Sequence, residues 1–81
     1  MEVVAIVKTL SGGYESDKAR IEEHGFKIGD RHVLSSVSMG QSNTTIRLKG
    51  FDSSFNSVFF SFEEDGEEIN IYADSRFNPY L

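Results

Sequence analysis

Short runs in which apolar and polar residues alternate, separated by turn residues, are the feature of this sequence that most limits its fold. Between residues 44 and 49, Ile46 and Leu48 lie on one side of the run and polar residues on the other. A repeat of two is typical of a half-buried β-strand, because successive side chains leave a strand on opposite sides. Residues 57–62 repeat in the same way, and Asp65-Gly66 after them is a strong hairpin signal. The pattern predicts short antiparallel strands.

Three further strands are predicted outside this region. Residues 3–10 are rich in β-branched side chains and end at a Ser11-Gly12-Gly13 turn, and residues 69–72 alternate after the hairpin. Residues 32–39 precede the turn at 40–43. There, alternation assigns three residues to each face: Val33, Val37 and Met39 to one, and His32, Leu34 and Ser36 to the other.

One short helix is predicted between the first two strands. Ser16 can cap its start, Asp17 lies in its first turn, and Gly25 supplies the left-handed residue that ends it. Its apolar face is thin and consists mainly of Ala19 and Ile21. A helix of about two turns is expected.

These elements predict one small domain, residues 1–81, that is mostly β. A chain of this size buries only about 60–65% of its unfolded surface, so the core is modest. A small antiparallel barrel of about five strands, SH3-like or OB-like, fits best because closure hides the edges of an open sheet. A two-layer α+β sheet with the helix on one face is the alternative.

Composition and charge favour a soluble binding protein in the cytoplasm. Cysteine is absent, the apolar run near the start is short, and no segment approaches the roughly 20 apolar residues of a membrane span. The net charge is −5. Binding to a nucleic-acid backbone depends on Lys and Arg, so nucleic acid is a poor fit and a basic partner a better one.

Five of the seven phenylalanines lie between residues 49 and 68. Alternation assigns Val58, Phe60 and Phe62 to the core and turns Phe59 away from it. Two interpretations remain for Phe51, Phe55 and Phe59: their rings cap the core, or they form an exposed patch that binds a partner. The residues of that patch would be Phe51, Phe55, Phe59, Tyr72, Phe77 and Tyr80.

Charged side chains suggest two further surfaces. Arg47 and Lys49 share the outward face of a predicted strand, with Arg31 on its neighbour, and could form a basic stripe beside Phe51 and Phe59 that binds single-stranded nucleic acid. The hairpin tip is acidic: Glu63, Glu64, Asp65, Glu67 and Glu68. It is interpreted as a solvated tip, a contact for a basic partner or an acidic mimic of DNA. The spacing does not match a calcium loop, and no metal is expected.

Catalytic signatures are missing from the sequence. There is no phosphate-binding loop, nucleophile elbow or zinc-protease motif. His24 lies at the end of the predicted helix, and His32 lies beside Asp30 and Arg31, where an acid–base role is conceivable but a strand histidine is commoner. Neither an enzyme nor a cofactor is expected.

Residues 26–62 resemble small uncharacterised proteins of phages and prophages of Gram-positive bacteria. The matching segments are Ile28-Gly29-Asp30, Ser38-Met39-Gly40-Gln41-Ser42, Leu48-Lys49-Gly50-Phe51 and Phe55-Asn56-Ser57-Val58. The resemblance implies a phage accessory protein with an SH3-like barrel that binds and inhibits a host or defence protein. It assigns no site residues.

The sequence therefore predicts a non-enzymatic module that acts by protein–protein contact. The alternatives are a nucleic-acid or nucleotide binder and an acidic DNA mimic. A homodimer is also expected, with Phe59 near the twofold axis, because a spare aromatic face is often covered by a second copy. The alternative is a monomer in which residues 77–81 cover Phe59 within the same chain.

Overall fold

The computed structural model describes residues 2–81, which form one antiparallel sheet of six strands in the order β4-β3-β2-β1-β5-β6. An α-helix, α1 (Glu15–Glu23), connects the first two strands, and two 3₁₀ helices cover Ser57–Phe59 and Ile71–Ala73. The strands are β1 (Val3–Val7), β2 (Arg31–Met39), β3 (Thr44–Leu48), β4 (Ser54–Asn56), β5 (Phe60–Glu64) and β6 (Glu67–Ile69).

The prediction of a mostly-β fold with one short helix is confirmed. The finer prediction of an SH3-like or OB-like barrel is not, because β4 and β6 end the sheet as unpaired edges. Both edge strands are only three residues long, which limits the backbone that they expose. The helix lies against β4 and contributes Ile21 to the same core as the strands.

The helix begins at Glu15, one residue before Ser16, which was the predicted cap. Tyr14 is the N-cap, and its N–H donates to the Asp17 carboxylate at 3.0 Å. Gly25, with a φ of 68°, follows the helix as predicted, in a conformation that glycine adopts without strain. Ile21 is buried, but Ala19 is exposed. The first strand ends at Val7, three residues before the predicted end at Leu10.

A β-bulge makes the predicted faces of β2 wrong. The register with β3 shifts between Leu34 and Ser36, so Ser35 is an extra residue. His32, which pairs with Ala5 in β1, and Leu34 therefore share the core face with Val37 and Met39 beyond the bulge. Val33 lies on the other face. A bulge reverses the side-chain alternation that follows it, and the simple repeat of two contains no sign of it.

The 3₁₀ helix Ser57–Phe59 makes a second assignment wrong. Val58, predicted to be in the core, is 43% exposed, whereas Phe59, predicted to point outward, is 0% exposed. A 3₁₀ helix advances about three residues per turn, so adjacent residues are not on opposite sides as they are in a strand. Phe60 and Phe62, which follow in β5, are buried as predicted.

The rings of Phe51 and Phe55 pack against the core, which is the first of the two interpretations of those residues. Phe55 is 1% exposed, and Phe51 is half-buried against it, with ring centroids 5.9 Å apart. Phe26 packs against both rings at 5.1 and 5.4 Å. His24 and His32 contact the same rings, and the Nε2 atom of His32 is buried without a hydrogen-bond partner among the described residues. His32 is therefore part of the core packing, whereas His24 is exposed and only lays its ring against the same aromatic cluster.

Among residues 2–81, no helix has the length and apolar character needed to cross a membrane.

Candidate functional site

Three exposed side chains, one on the first 3₁₀ helix and two beside it, outline the candidate site. Tyr14 is 62% exposed, Val58 43% and Tyr72 45%. They line two adjacent depressions of about 420 and 430 Å³, which share Ser57, Val58 and Tyr72 as a common wall. We call the two depressions together the tyrosine groove.

Tyr14 is positioned by the start of α1. The Asp17 carboxylate accepts a hydrogen bond from the Tyr14 N–H at 3.0 Å and another from the Asn56 side chain at 3.1 Å, which joins the helix to β4. Gly13, directly before Tyr14, has a φ of 66°, and a Cβ there would lie 3.4 Å from the ring of Phe59. Glycine suits this position because it adopts a positive φ without strain, and because a Cβ would also crowd the Asp17 side chain at 3.2 Å.

Val58 is held outward by one residue on each side of it in the chain, Asn56 and Phe59. The side-chain oxygen of Asn56 caps the 3₁₀ helix by accepting from the Val58 N–H at 3.1 Å. Phe59 anchors the other end because its ring is completely buried. The apolar side chain of Val58 is thus exposed by the backbone geometry of its turn.

Tyr72 is held by three hydrogen bonds, one from each of the two 3₁₀ helix regions and one from the segment after the second. Asn70 caps this helix by accepting from the Tyr72 N–H at 2.9 Å, and Asn78 donates to the Tyr72 carbonyl at 2.7 Å. The Tyr72 hydroxyl forms a 2.5 Å hydrogen bond with the hydroxyl of Ser57, which is 2% exposed. The wall between the two depressions is therefore pre-organised, which lowers the entropy lost on binding.

The first depression lies where β6 separates from β5. Strand β6 pairs only with Phe62, Glu63 and Glu64, so Phe60 and Ser61 have β1 on one side and no β6 residue on the other. Its charged lining residues are Lys8 and Glu68.

The second depression has no ionised side chain among its lining residues, and more of its exposed lining is apolar than polar. Its walls come from the start of α1, from the first 3₁₀ helix and from the turn between β2 and β3: Gly13, Tyr14, Ser42, Asn43, Thr44, Asn56, Ser57, Val58 and Tyr72. Together the two depressions offer apolar side chains, hydroxyls and amides, which suit recognition of a protein surface.

A family model described as bacteriophage T4 protein Y07B matches residues 2–81. The chain belongs to this family. Neither the curated proteins nor the solved structures compared with it gave a match. The resemblance to phage proteins is thus confirmed at the level of a small phage protein, while the Gram-positive host stays a prediction.

The structure does not assemble the predicted aromatic patch of this Y07B-family chain into one surface. Phe55 and Phe59 are buried, and Phe51 and Phe77 are half-buried against the core. Only the two tyrosines of the patch are well exposed: Tyr72 lines the groove, and Tyr80, at 72% exposed, donates to the Met39 carbonyl at 3.3 Å.

Burial of Phe59 also removes the contact residue predicted for a homodimer. In the alternative prediction residues 77–81 fold over Phe59 as a lid, and of this segment Phe77 packs on the core. The homodimer itself stays a prediction.

Of the three exposed side chains that outline the groove, the sequence singled out Tyr72 and missed Tyr14 and Val58. The Gly12-Gly13 pair before Tyr14 was a usable signal, because a sharp turn ahead of a helix N-terminus leaves an aromatic residue little room to turn inward. No comparable signal identified Val58, since its exposure depends on the 3₁₀ helix.

The predicted basic stripe stays a prediction, and the structure places neither of its aromatic neighbours on the surface. Arg47 and Lys49 are exposed, and Arg47 donates to the Asp52 carbonyl at 3.1 Å. Arg31 forms an ion pair with Glu63 at 2.8 Å. Of the rings expected to stack with bases, Phe59 is buried in the core and Phe51 is half-buried against it.

Arginines neutralise part of the acidic hairpin. Arg76 holds both Glu64 oxygens, at 2.8 and 2.9 Å, and also contacts Asp74 at 2.6 Å. Its hydrogen bonds lower the pKa of the Glu64 carboxyl and that of the Asp74 carboxyl, and they raise the pKa of the guanidinium. Within residues 2–81, the carboxylates of this hairpin outside any ion pair are Asp65, Glu67 and Glu68.

Across the described part of the chain, no group of three or more His, Asp or Glu side chains is arranged to hold a metal ion.

Proposed function

We propose that this Y07B-family chain is a phage-encoded binding module, without enzymatic activity, that binds a host or defence protein through the tyrosine groove. The observation that carries the proposal is the fixed, exposed wall of Val58 and Tyr72 between two depressions. Exposed aromatic and apolar side chains held in one conformation supply much of the energy of protein interfaces. Family membership supports the phage origin.

The shape of the groove favours a protein partner over a small molecule. Both depressions lie open at the surface, and half-exposed side chains form their common wall. Small-molecule sites usually enclose most of their ligand. A loop or chain segment of another protein can fill an open groove and continue onto the surface around it.

The two other functions expected from the sequence gain no specific support. A nucleic-acid surface would need rings beside Arg47 and Lys49, and those rings lie in the core. An acidic mimic of DNA would need free carboxylates, but Glu63 and Glu64 are bound to arginines.

Capture from phage-infected cells tests the proposed function. Tagged wild-type protein should retain a partner that mass spectrometry identifies and that binds again when purified. Val58→Asp should weaken this binding at least about tenfold, because the substitution places a charge at the centre of the interface. Ser38→Asp, on an exposed position of β2 outside the groove, is the matched control. Equal binding by wild type and Val58→Asp, with both folded by circular dichroism, would rule out the groove as the binding site.

A further inference from the structure

We infer, building on the proposed function, that the tyrosine groove takes an extended segment of the partner that carries lysine or arginine residues. The two depressions are joined at Val58 and Tyr72 and run from the end of β6 to the turn between β2 and β3. An α-helix with its side chains is about 10–12 Å across. A single extended chain is narrower, and we expect it to contact the lining of both depressions at once.

The open edge of β5 supports an extended occupant. Phe60 has no partner in β6, and its N–H already donates to the Ser57 carbonyl. Val7, opposite Phe60 in β1, directs its own N–H and carbonyl to Asp30 and Gly29, so the Phe60 carbonyl remains as an acceptor beside the first depression. Peptides commonly bind to sheet edges by pairing their backbone with such groups, while alternate side chains enter neighbouring pockets.

Charge around the groove selects a basic segment. Glu68 lines the first depression, and Asp65 and Glu67 of the same hairpin form no ion pair within residues 2–81. Together with the net charge of −5 on the whole chain, these three carboxylates favour a basic segment over an acidic one at this end of the groove.

Lys8 opposes this preference from within the first depression. The charge of Lys8 therefore provides a test of the charge of the bound segment, because removing Lys8 should strengthen the binding of a basic segment. Removing Glu68 should weaken it. An acidic segment would show the reverse of both effects.

Synthetic peptides provide the experiment. Three labelled ten-residue peptides alternate valine and threonine with lysine, glutamine or glutamate, and their affinities are measured by fluorescence anisotropy at low salt. The lysine peptide should bind most tightly and should shift the backbone NMR signals of Val58, Phe60 and Tyr72. Glu68→Gln should weaken its binding about two- to fivefold, and Lys8→Gln should strengthen it by a similar factor. Glu23→Gln, on the exposed end of α1, is the control and should change nothing.

Several results would overturn the inference. They are no binding of the lysine peptide, equal binding of all three peptides, or tighter binding after Glu68→Gln. A dimer that Val58→Asp dissociates would assign the groove to a second copy of the chain. If the captured partner depends on Val58 but not on Glu68 or Lys8, the proposed function stands and only the basic segment is wrong. If Val58→Asp has no effect on the partner, the proposed function itself fails.

Discussion

At the scale of single residues, Val58 and Phe59 are neighbours with opposite environments. Phe59 is completely buried, while Val58 is 43% exposed and contributes to the groove. Replacing Phe59 with alanine should lower the free energy of unfolding by about 3–5 kcal/mol, because it leaves a cavity in the core. Val58→Ala should change it by less than about 0.5 kcal/mol. Urea titration monitored by circular dichroism measures both.

Comparing the free energies of unfolding of these two variants tests directly which of the two residues lies in the core. If Val58→Ala were the more destabilising substitution, residues 57–62 would form an uninterrupted strand, as alternation alone predicts. The tyrosine groove would then lose its central side chain.

Residue burial could be predicted from the sequence where the alternation is uninterrupted. Ile46, Leu48, Phe60 and Phe62 were all assigned to the core and are buried. Val58 was assigned wrongly because one turn of 3₁₀ helix changes the direction of a side chain without changing the composition. The groove was missed for the same reason, since its centre lies on that turn.

At the scale of elements, Arg76 fastens the C-terminal segment to β5. Its guanidinium binds Glu64 and Asp74, and its charge lies 5.3 Å from the centre of the Phe77 ring. Arg76→Gln should therefore lower the melting temperature at pH 7. Arg31→Gln, which breaks the more exposed pair with Glu63, is the control and should have a smaller effect.

The difference between wild type and Arg76→Gln should depend on pH. Hydrogen bonds from Arg76 lower the pKa of Glu64 and of Asp74 from their ordinary values of 4.5 and 3.8. A lowered pKa in the folded state stabilises the protein above the ordinary value, and this contribution is lost as the pH falls through the folded-state value. The two melting temperatures should therefore converge in acid. A constant difference down to pH 2 would mean that Arg76 acts through its packing on Phe77.

The hairpins and the helix were predictable as elements because their signals are local. Asp65-Gly66 does join β5 and β6, and Gly25 does follow the helix. The bulge at Ser35 was not predictable, because it is a matter of pairing with β3 and leaves no mark in the order of polar and apolar residues.

At the scale of the whole molecule, the segment after β6 covers part of the core that the open sheet leaves uncovered. Ile71 is fully buried, Phe77 packs on the core and the Tyr80 hydroxyl reaches the Met39 carbonyl. A chain ending at Ala73 should therefore melt at a lower temperature and, in sedimentation equilibrium, associate as its concentration rises. An unchanged melting temperature and mass would show that residues 74–81 contribute neither stability nor cover.

That the protein is mostly β followed from the sequence, but the open sheet did not. Closure depends on whether the first and last strands in space can pair, and β4 and β6 are both three residues long. The sequence pattern shows where strands occur, and it contains little about how far each one continues.

The position of β1 within the sheet has a consequence for synthesis of the chain. This strand pairs with β5, and Val7 lies opposite Phe60. Translation proceeds at about 5–20 residues per second, so on the order of 3–10 seconds separate the synthesis of the two strands. During that delay the nascent chain carries an apolar stretch, Val3–Val7, that has only one of its two neighbours. Glu2 and Lys8, the charged residues on either side of it, are well placed to discourage its aggregation on the ribosome.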